Sequence, residues 1–246
     1  MITLIPEFIA SKSLSSNSQK SYLYDLQQFA EITEGKVNPN KLKLYEQSLA
    51  DLKISAKKRK ISAVNQFLFF LYEQEKLDHF YKIKNKEKLP LARSVYQEID
   101  LSALYEKAAD RTGQLIALLI AELGLSPSEI ARLKWENIAL DFQVLTVISS
   151  QSMRVLELSE QLLSHMPEKE DGAVYLFDNK GEPYSRQWLF NKLSHYLASV
   201  GLKEMTAQKL REQYIIKAKN KGVSMMDLAK YLGLKSPVTL EKYFKN

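Results

Sequence analysis

Two residues near the C-terminal end of the sequence, Arg211 and Tyr243, have side chains suited to chemistry on a phosphate ester. A guanidinium binds two phosphate oxygens at once through its planar fork of N–H donors, which neither lysine nor serine can reproduce. A tyrosine phenol can attack phosphorus and form a covalent intermediate. Because the ordinary pKa of a phenol is about 10, that attack needs either deprotonation or a strongly activated phosphate. The pair therefore suggests transfer of a phosphoryl group to a tyrosine.

The elements that hold this pair are predicted to be helices. Thr206 is a suitable N-cap and Gly222 a suitable C-terminal stop for a helix that carries Arg211. Ser236, followed by proline, is predicted to begin a last short helix that carries Tyr243. The alternatives from the residues alone are an ion-paired surface arginine and an aromatic side chain that packs the last helix.

The composition indicates a mainly helical protein without a disulfide framework. The chain has 246 residues, 45% of them hydrophobic, which is enough for one large or two small domains. It contains 8 glycines and 7 prolines, and such low contents favour helices. Its lack of cysteine excludes thiolate metal sites and fits a reducing cytosol. No apolar run has membrane-spanning length and the N-terminus lacks a basic leader, so we expect a cytoplasmic protein that does not contact a membrane.

Hydrophobic periodicity predicts two domains and a connecting segment. Residues 1–80 show apolar stripes at helical spacing, typical of a small bundle. Residues 81–94 are basic, contain a proline and have no such stripe, which predicts a linker. Residues 95–246 combine helical patterns with short β-branched runs, so the expected fold class is mainly α with a small antiparallel sheet. A hairpin is predicted over 144–148 and 155–158, and a third strand over 174–177.

The positive charge, a formal net +6, is clustered near the expected domain junction. Clustered cations suit a polyanion, because each neutralised phosphate releases condensed counterions. A solvated helix face is the alternative for any one cluster. The residues predicted to bind DNA are Lys57, Lys58, Arg59, Lys60, Lys84 and Lys86.

Several stretches, taken together and in order, resemble the Xer-type tyrosine recombinases of the phage integrase family over nearly the full length. The stretches that carry the resemblance are Leu14–Ser18 with Tyr22 and Leu26, Gly124–Ile130 with Leu133 and Trp135, Leu176–Phe177 with Gly181 and Pro183, and finally Arg211, Leu232–Gly233 and Tyr243. Residues 1–80 then correspond to the family's helical core-binding (SAM-like) domain and residues 95–246 to its catalytic domain.

The resemblance implies a two-domain clamp around double-stranded DNA, in which Tyr243 would attack a backbone phosphate and form a 3′-phosphotyrosyl link. The family surrounds that phosphate with two arginines, a lysine and two histidine or tryptophan positions, and it uses no metal or other cofactor. Arg211 matches the second arginine. Since the protein does little covalent work beyond the nucleophile, positioning and charge stabilisation dominate such a reaction.

Four positions depart from the family pattern. Ser126 stands where the first arginine is expected, and its Ser-Pro-Ser-Glu context predicts a capping box with Glu129. Ser149 or Ser150, depending on the alignment, replaces the turn lysine. Gln208 replaces a histidine and shares a helix face with Arg211, while Leu234 replaces a histidine or tryptophan. None of these replacements supplies charge or an efficient proton transfer.

Nearby residues are not expected to compensate for these losses. Arg132 is predicted to lie far around the helix from Ser126. Arg154 matches a structural arginine of the family's hairpin, and the three histidines lie outside the motifs.

The leading hypothesis is therefore a protein that binds double-stranded DNA and is impaired in strand cleavage. One alternative is a recombinase that is active by itself or with a cognate recombinase or another protein. The other is a helical interaction protein that does not bind DNA. We expect a monomer in solution, because three residues follow Tyr243 whereas Xer relatives extend further and dock that tail on a neighbour.

Overall fold

The computed structural model describes residues 1–84, 96–149 and 153–244, and the chain divides into two compact units, Met1–Arg93 and Ser94–Asn246. The helices of the first unit are α1 (Ile5–Ala10), α2 (Ser16–Ile32), α3 (Pro39–Ser48) and α4 (Ile54–Glu73). The helices of the second unit are α5 (Arg111–Leu123), α6 (Pro127–Ile130), α7 (Glu160–Leu163), α8 (Arg186–Ser199), α9 (Ala207–Asn220), α10 (Met225–Tyr231) and α11 (Glu241–Phe244). Its strands are β1 (Ile138–Ala139), β2 (Val144–Ile148), β3 (Met153–Glu157), β4 (Asp178–Asn179) and β5 (Glu182–Pro183).

The first unit is a helical bundle whose core lies between α1, α2 and α4. The side chain of Ser15 accepts the backbone N–H of Ser18 and caps α2, while that of Asn38 caps α3. Phe67 of α4 is fully buried among apolar side chains from the other helices, and its ring lies 5.3 Å from that of Phe8. The apolar stripe predicted for this helix is buried except at its end: Tyr72 is exposed, while the buried members are Ile61, Val64, Phe67, Leu68 and Leu71.

A buried ion-pair network joins α2 to α4 at the basic run. Asp25 is fully buried, and one of its carboxylate oxygens accepts from Lys60 Nζ at 2.9 Å and from Arg59 Nη2 at 3.0 Å. Lys60 is itself buried and also donates to Gln28 Oε1 at 2.6 Å. Pairing lets the charges of Asp25 and Lys60 remain in the interior, where an isolated charge would be very costly, while the Arg59 side chain is 49% exposed.

The residues that follow the bundle remain attached to it as far as Lys84. The side chain of Asn65 holds Ile83 at both backbone groups, accepting its N–H at 2.8 Å and donating to its carbonyl at 2.9 Å. Ile83 is 3% exposed and belongs to the core of the first unit. Tyr81–Lys84, the first part of the interval expected as a linker, therefore pack on the first unit.

Helix α5 is the centre of the second unit and is buried along nearly its whole length, with α8 and α9 packed against it. Gly113 allows the approach of α8, since a Cβ there would lie 2.5 Å from the Cβ of Tyr196 and 2.9 Å from the carbonyl oxygen of Lys192. A second apolar cluster forms where α9, α10 and α11 meet. Helix α9 contributes to both clusters and is therefore rigidly placed.

The small sheet is antiparallel in the order β1-β2-β3, with Leu145 opposite Leu156 across the predicted hairpin. The expected fold class, mainly α with a small antiparallel sheet, is confirmed. The third strand predicted over 174–177 is wrong: β1 takes that place in the sheet, and Tyr175 makes only an isolated bridge to Lys134. The reason is Asp178, whose carboxylate accepts the backbone N–H groups of Val174 and Tyr175 and so closes a turn there.

Within the described ranges, no helix combines the length and the apolar character that crossing a membrane requires.

Candidate functional site

Arg211 lies on the first half of α9, whose N-terminus is capped by the side chain of Thr206 as predicted. Its Nη2 donates to the carbonyl oxygen of Leu232 at 3.2 Å, while its Nε is buried without a hydrogen-bond partner in the described structure. Burial lowers the pKa of Arg211; the charge of Glu129 opposes that change and the charge of Arg154 adds to it. The guanidinium nevertheless remains charged at any physiological pH.

Tyr243 lies on α11 and is 4% exposed. Its hydroxyl donates to Glu212 Oε1 at 2.9 Å, and Lys242 Nζ reaches the same oxygen at 3.4 Å. Burial raises the pKa of Tyr243 above its ordinary value, the contact with Lys242 lowers it in part, and Glu212 raises it further. The hydroxyl is therefore engaged with the Glu212 carboxylate within the fold, because the whole residue is nearly fully buried.

The backbone and the ring of Tyr243 are also held by contacts. Lys219 Nζ donates to the carbonyl oxygen of Tyr243 at 2.6 Å, and the ring of Tyr96 packs 4.6 Å from the ring of Tyr243. Gln213 secures the segment that carries Tyr96, because its side chain accepts from Ile99 N at 2.7 Å. Tyr243 would have to leave several contacts to reach a phosphate beyond its present position.

Arg211 and Glu212, the residue that accepts from the Tyr243 hydroxyl, are consecutive residues of α9. Arg211 faces Leu232, and its neighbour Glu212 holds Tyr243. Among the groups that shift the pKa of Arg211, Tyr243 has the smallest effect and raises it. In the described part of the chain, however, no hydrogen bond joins them.

Ser126 serves the helix start, as its sequence context predicted. Its hydroxyl accepts Glu129 N at 3.3 Å, and Glu129 Oε2 accepts Ser126 N at 2.7 Å, so the predicted capping box is present. The other carboxylate oxygen of Glu129 accepts from Arg154 Nη2 at 2.7 Å. Burial raises the pKa of Glu129, but the hydrogen bonds from Ser126 and Arg154 outweigh it and hold the pKa below its ordinary value. The predicted structural place of Arg154 agrees with this buried contact.

The other replaced positions do not bring a charged group to the site. Gln208 is exposed on α9, and Leu234 packs against the apolar cluster formed by α9, α10 and α11. Ser149 is an exposed residue directly after β2, and Ser150 lies outside the described residues. Where the structure describes the chain, no group of three or more acidic, histidine or cysteine side chains could hold a metal ion.

Gly124 sets the close contact between the end of α5 and the helix that carries Arg211. It has a φ of +63°, and a Cβ there would lie 2.6 Å from the ring of Tyr214 and 2.7 Å from the side chain of Leu232. The carbonyl of Leu232 is the acceptor for Arg211. The absence of a side chain at Gly124 therefore lets Tyr214 and Leu232, the neighbours of Arg211, approach the chain just before α6.

Gly124→Ala is expected to lower the free energy of unfolding more than Gly35→Ala does, as measured by denaturant unfolding. Gly35 has a similar φ of +68° but no atom within 4 Å of an added Cβ. Both changes incur the left-handed backbone cost of about 1–2 kcal/mol, while Gly124→Ala adds an overpacking cost of about 1–3 kcal/mol. Equal losses for the two variants would contradict the crowding described at Gly124.

The residues predicted to bind DNA lie in the first unit, where part of the basic run is used internally. Arg59 and Lys60 contact Asp25, and Lys57 is half-buried. Lys58 and Lys84 line an open groove of about 850 Å³. Lys86 lies outside the described residues.

That groove, hereafter the basic groove, has cationic and aromatic walls. The residues that line it are Lys12, Lys58, Ile61, Ser62, Asn65, Gln66, Phe69, Phe80, Lys82, Ile83 and Lys84. The bonds between Asn65 and Ile83 place Lys82 and Lys84 at its edge. Lys12 was not predicted as a DNA-binding residue, because no spacing in the sequence relates it to Lys58 or Lys84. Lys82 belongs to the basic stretch 81–94 but was not in the set predicted to bind DNA.

Sequence reasoning also missed Glu212 as the residue that holds Tyr243. Glu212 directly follows Arg211, whereas its partner lies on α11. No local periodicity relates two residues so far apart in sequence, and the contact depends on how α11 folds back onto α9.

Comparison with known proteins identifies the family. A model of the phage integrase family matches residues 93–246, which is more than half of the chain. A protein described as tyrosine recombinase XerD-like from Streptococcus mutans serotype c is 74% identical over 246 residues, covering all of both chains. A protein with the same description from Streptococcus uberis is 48% identical, again covering all of both chains. The chain therefore belongs to the phage integrase family.

Solved structures show the same fold at low sequence identity. The XerH site-specific recombinase bound to difH substrate in a pre-cleavage complex has a TM-score of 0.71 and 17% identity, with 100% of this chain and 82% of that chain covered. The Tn1549 transposon integrase in complex with circular intermediate DNA has a TM-score of 0.73 and 12% identity, with 100% and 94% covered. The resemblance at the level of sequence is thus accompanied by a shared fold.

Proposed function

We propose that this protein binds double-stranded DNA as a tyrosine-recombinase relative whose strand-cleaving activity is strongly impaired. The observation that carries the proposal is the state of the retained pair. Arg211 and Glu212 are consecutive residues of α9, but Glu212 accepts from the buried Tyr243 hydroxyl and Ser126 serves as a helix cap. On this proposal Arg211 can still bind a phosphate, while Ser126, Gln208 and Leu234 supply neither the charge nor the proton transfer expected at their positions.

Energetic reasoning supports the impairment. A preorganised charge contact to the transition state typically contributes about 2.7–4 kcal/mol, although such contributions are not additive. Loss of even two of the four replaced groups would slow cleavage by roughly four orders of magnitude or more on that scale. The raised pKa of Tyr243 acts in the same direction, since a smaller fraction of the nucleophile is ionised.

The basic groove supports DNA as the partner. Lys82 and Lys84 are exposed at its edge and Lys58 lies in its wall, while none of these three makes an ion pair in the described structure. Such cations can neutralise backbone phosphates of any sequence. Solved relatives of the same fold are DNA complexes, which agrees with this assignment.

The proposal includes the clamp arrangement, with a core-binding domain at 1–80, a linker at 81–94 and a catalytic domain at 95–246. The first residues of that linker, Tyr81–Lys84, pack on the first unit. It also includes a monomer in solution, cytoplasmic location and a cognate recombinase or another protein as a further partner. A stable tetramer of the DNA-free protein, detected by light scattering, would contradict the monomer.

A gel shift at increasing salt, with a duplex of random sequence, tests whether the protein binds double-stranded DNA. Lys58→Glu with Lys84→Glu is expected to weaken binding to all sequences alike and to reduce the slope of log affinity against log salt by about 1–2, because each lost phosphate contact contributes about 0.9. Lys43→Glu, an exposed change on α3 outside the basic groove, is the matched control. Absence of binding by the unaltered protein at low salt would favour the protein-interaction alternative.

A further inference from the structure

A partly enclosed cavity of about 540 Å³ lies inside the second unit, between the start of α5, the segment that follows α7 and the start of α8. Its volume is within the range of about 300–1,000 Å³ that small-molecule sites occupy. Neither Arg211 nor Tyr243 lines it, and it shares no lining residue with the basic groove. The cavity is therefore a separate feature, which the proposed function does not use.

Aromatic rings form much of the cavity wall, which includes Trp135, Tyr175 and Phe177. The rings of Tyr184 and Trp188, which also line it, are stacked with their centroids 3.8 Å apart and 7° between their planes. The ring of Phe177 lies 6.3 Å from that of Trp188. Because aromatic rings attract one another in stacked and tilted arrangements, this wall suits a further planar ring.

Hydrogen bonds to the backbone hold two sides of the cavity in place. The carboxylate of Asp178 accepts the N–H groups of Val174 at 2.9 Å and Tyr175 at 3.0 Å, which fixes the aromatic segment that follows α7. The buried side chain of Gln114 donates to the carbonyl oxygen of Leu104 at 2.9 Å and so ties the segment before α5 to that helix. A ligand would therefore enter a largely preformed site, and little ordering of the protein would oppose its binding.

The exposed charged side chains that line the cavity carry both signs. Lys107 and Arg111 lie before and at the start of α5, whereas Glu168 and Glu170 lie on the segment that follows α7. The remaining acidic side chain of the lining, that of Asp178, is turned toward backbone N–H groups. Two cations and two anions therefore balance around the cavity. An anionic or a cationic ligand would meet a like charge there, so a ligand without net charge is favoured.

We propose that this cavity binds a small planar aromatic molecule without net charge, whose ring stacks on the pair formed by Tyr184 and Trp188. Two kinds of molecule in a cell share this chemistry, an uncharged nucleoside and a free aromatic amino acid. The amino acid would place its carboxylate toward the basic side chains and its ammonium group toward the acidic ones. The inference does not depend on DNA binding, because the basic groove belongs to the first unit.

Intrinsic fluorescence of the full-length protein tests this inference, because the chain contains 2 tryptophans and both, Trp135 and Trp188, line the cavity. Adenosine and L-phenylalanine are the probes, and emission is excited at the long-wavelength edge of tryptophan absorption, where neither probe absorbs. Ribose and L-leucine are the matched controls, since each lacks the aromatic ring of the corresponding probe. A saturable change in emission with adenosine supports a nucleoside, and one with L-phenylalanine supports an amino acid. No saturable change with either probe, or equal changes with the controls, would overturn the inference.

Adenosine monophosphate tests the charge of the ligand separately from its ring. It carries the same ring as adenosine together with a negatively charged phosphate, so we expect it to bind more weakly than adenosine. Tighter binding of the monophosphate would overturn the assignment of a ligand without net charge.

Trp188→Leu is expected to weaken binding of the responding probe about tenfold, because it removes one ring of the stacked pair while Trp135 still reports on binding. Phe190→Leu, which alters an exposed aromatic residue of α8 outside the cavity lining, is the matched control and should leave the affinity unchanged. If Trp188→Leu does not fold, Tyr184→Leu replaces it, and Tyr184→Phe, which keeps the ring, is expected to retain the affinity. Unchanged affinity in either leucine variant, once folded, would overturn the inference.

Discussion

Replacing Asp25 with alanine is expected to lower the free energy of unfolding of the first unit by about 3–5 kcal/mol, because one partner of a buried charge network is removed. The carboxylate is fully buried and is the acidic partner of both Arg59 and Lys60. Without it, Lys60 remains buried with the neutral Gln28 as its acceptor. Hydrogen exchange of the α2 and α4 amides, together with denaturant unfolding, measures the loss.

Asp51→Ala is the matched control, since Asp51 is exposed between α3 and α4. A surface change of this kind is expected to alter stability by about 0.5 kcal/mol or less. If Asp25→Ala were as mild as the control, the network would not be the contact that joins α2 to α4. This outcome would also return Arg59 and Lys60 to the set of cations available for DNA.

Replacing Glu129 with alanine is expected to destabilise the second unit by about 3–5 kcal/mol, chiefly because Arg154 is left as an uncompensated buried charge. The change also removes half of the capping box at Ser126. Denaturant unfolding of the full-length protein measures this effect. Glu136→Ala, an exposed change in the segment that follows α6, is the control and should be nearly neutral.

The pH dependence of stability gives Glu129 a second signature. Its pKa in the folded protein is lower than the ordinary value of 4.5. The stability that the Glu129 carboxylate contributes is therefore fully present above its unfolded pKa. It is lost as the pH falls through the lower pKa of the folded protein. Glu129→Gln should make the unfolding free energy fall less steeply as the pH drops below the ordinary pKa of 4.5. An unaltered slope would contradict the lowered pKa.

Local signals in the sequence were sufficient for much of the fold. The caps at Thr206 and Ser126 and the buried stripe of α4 depend on residues that are close in sequence. The sequence was therefore sufficient to predict them. The strand predicted over 174–177 failed because a β-branched and aromatic run does not reveal that Asp178 accepts its backbone N–H groups. Side chains that form turns compete with sheet pairing, and composition alone does not decide between them.

The candidate site was predictable in its residue types and much less in its contacts. Arg211 and Tyr243 were found from their order along the chain. Two contacts depend on packing between elements that are distant in sequence: the hydrogen bond from Tyr243 to Glu212 and the ion pair of the buried Lys60 with Asp25. The four consecutive cations at positions 57–60 look equivalent in the sequence. In the structure, Arg59 and Lys60 contact the buried Asp25, whereas Lys58 lines the basic groove.

Formation of a covalent adduct on a nicked suicide substrate tests the impairment of cleavage most directly. The duplex should carry a sequence selected for binding by this protein, with an active recombinase on its own site as the positive control. The unaltered protein is expected to yield no more adduct than Tyr243→Phe under conditions in which the positive control reacts to completion. An adduct that forms with the unaltered protein and disappears in Tyr243→Phe would contradict the proposal of impaired strand cleavage.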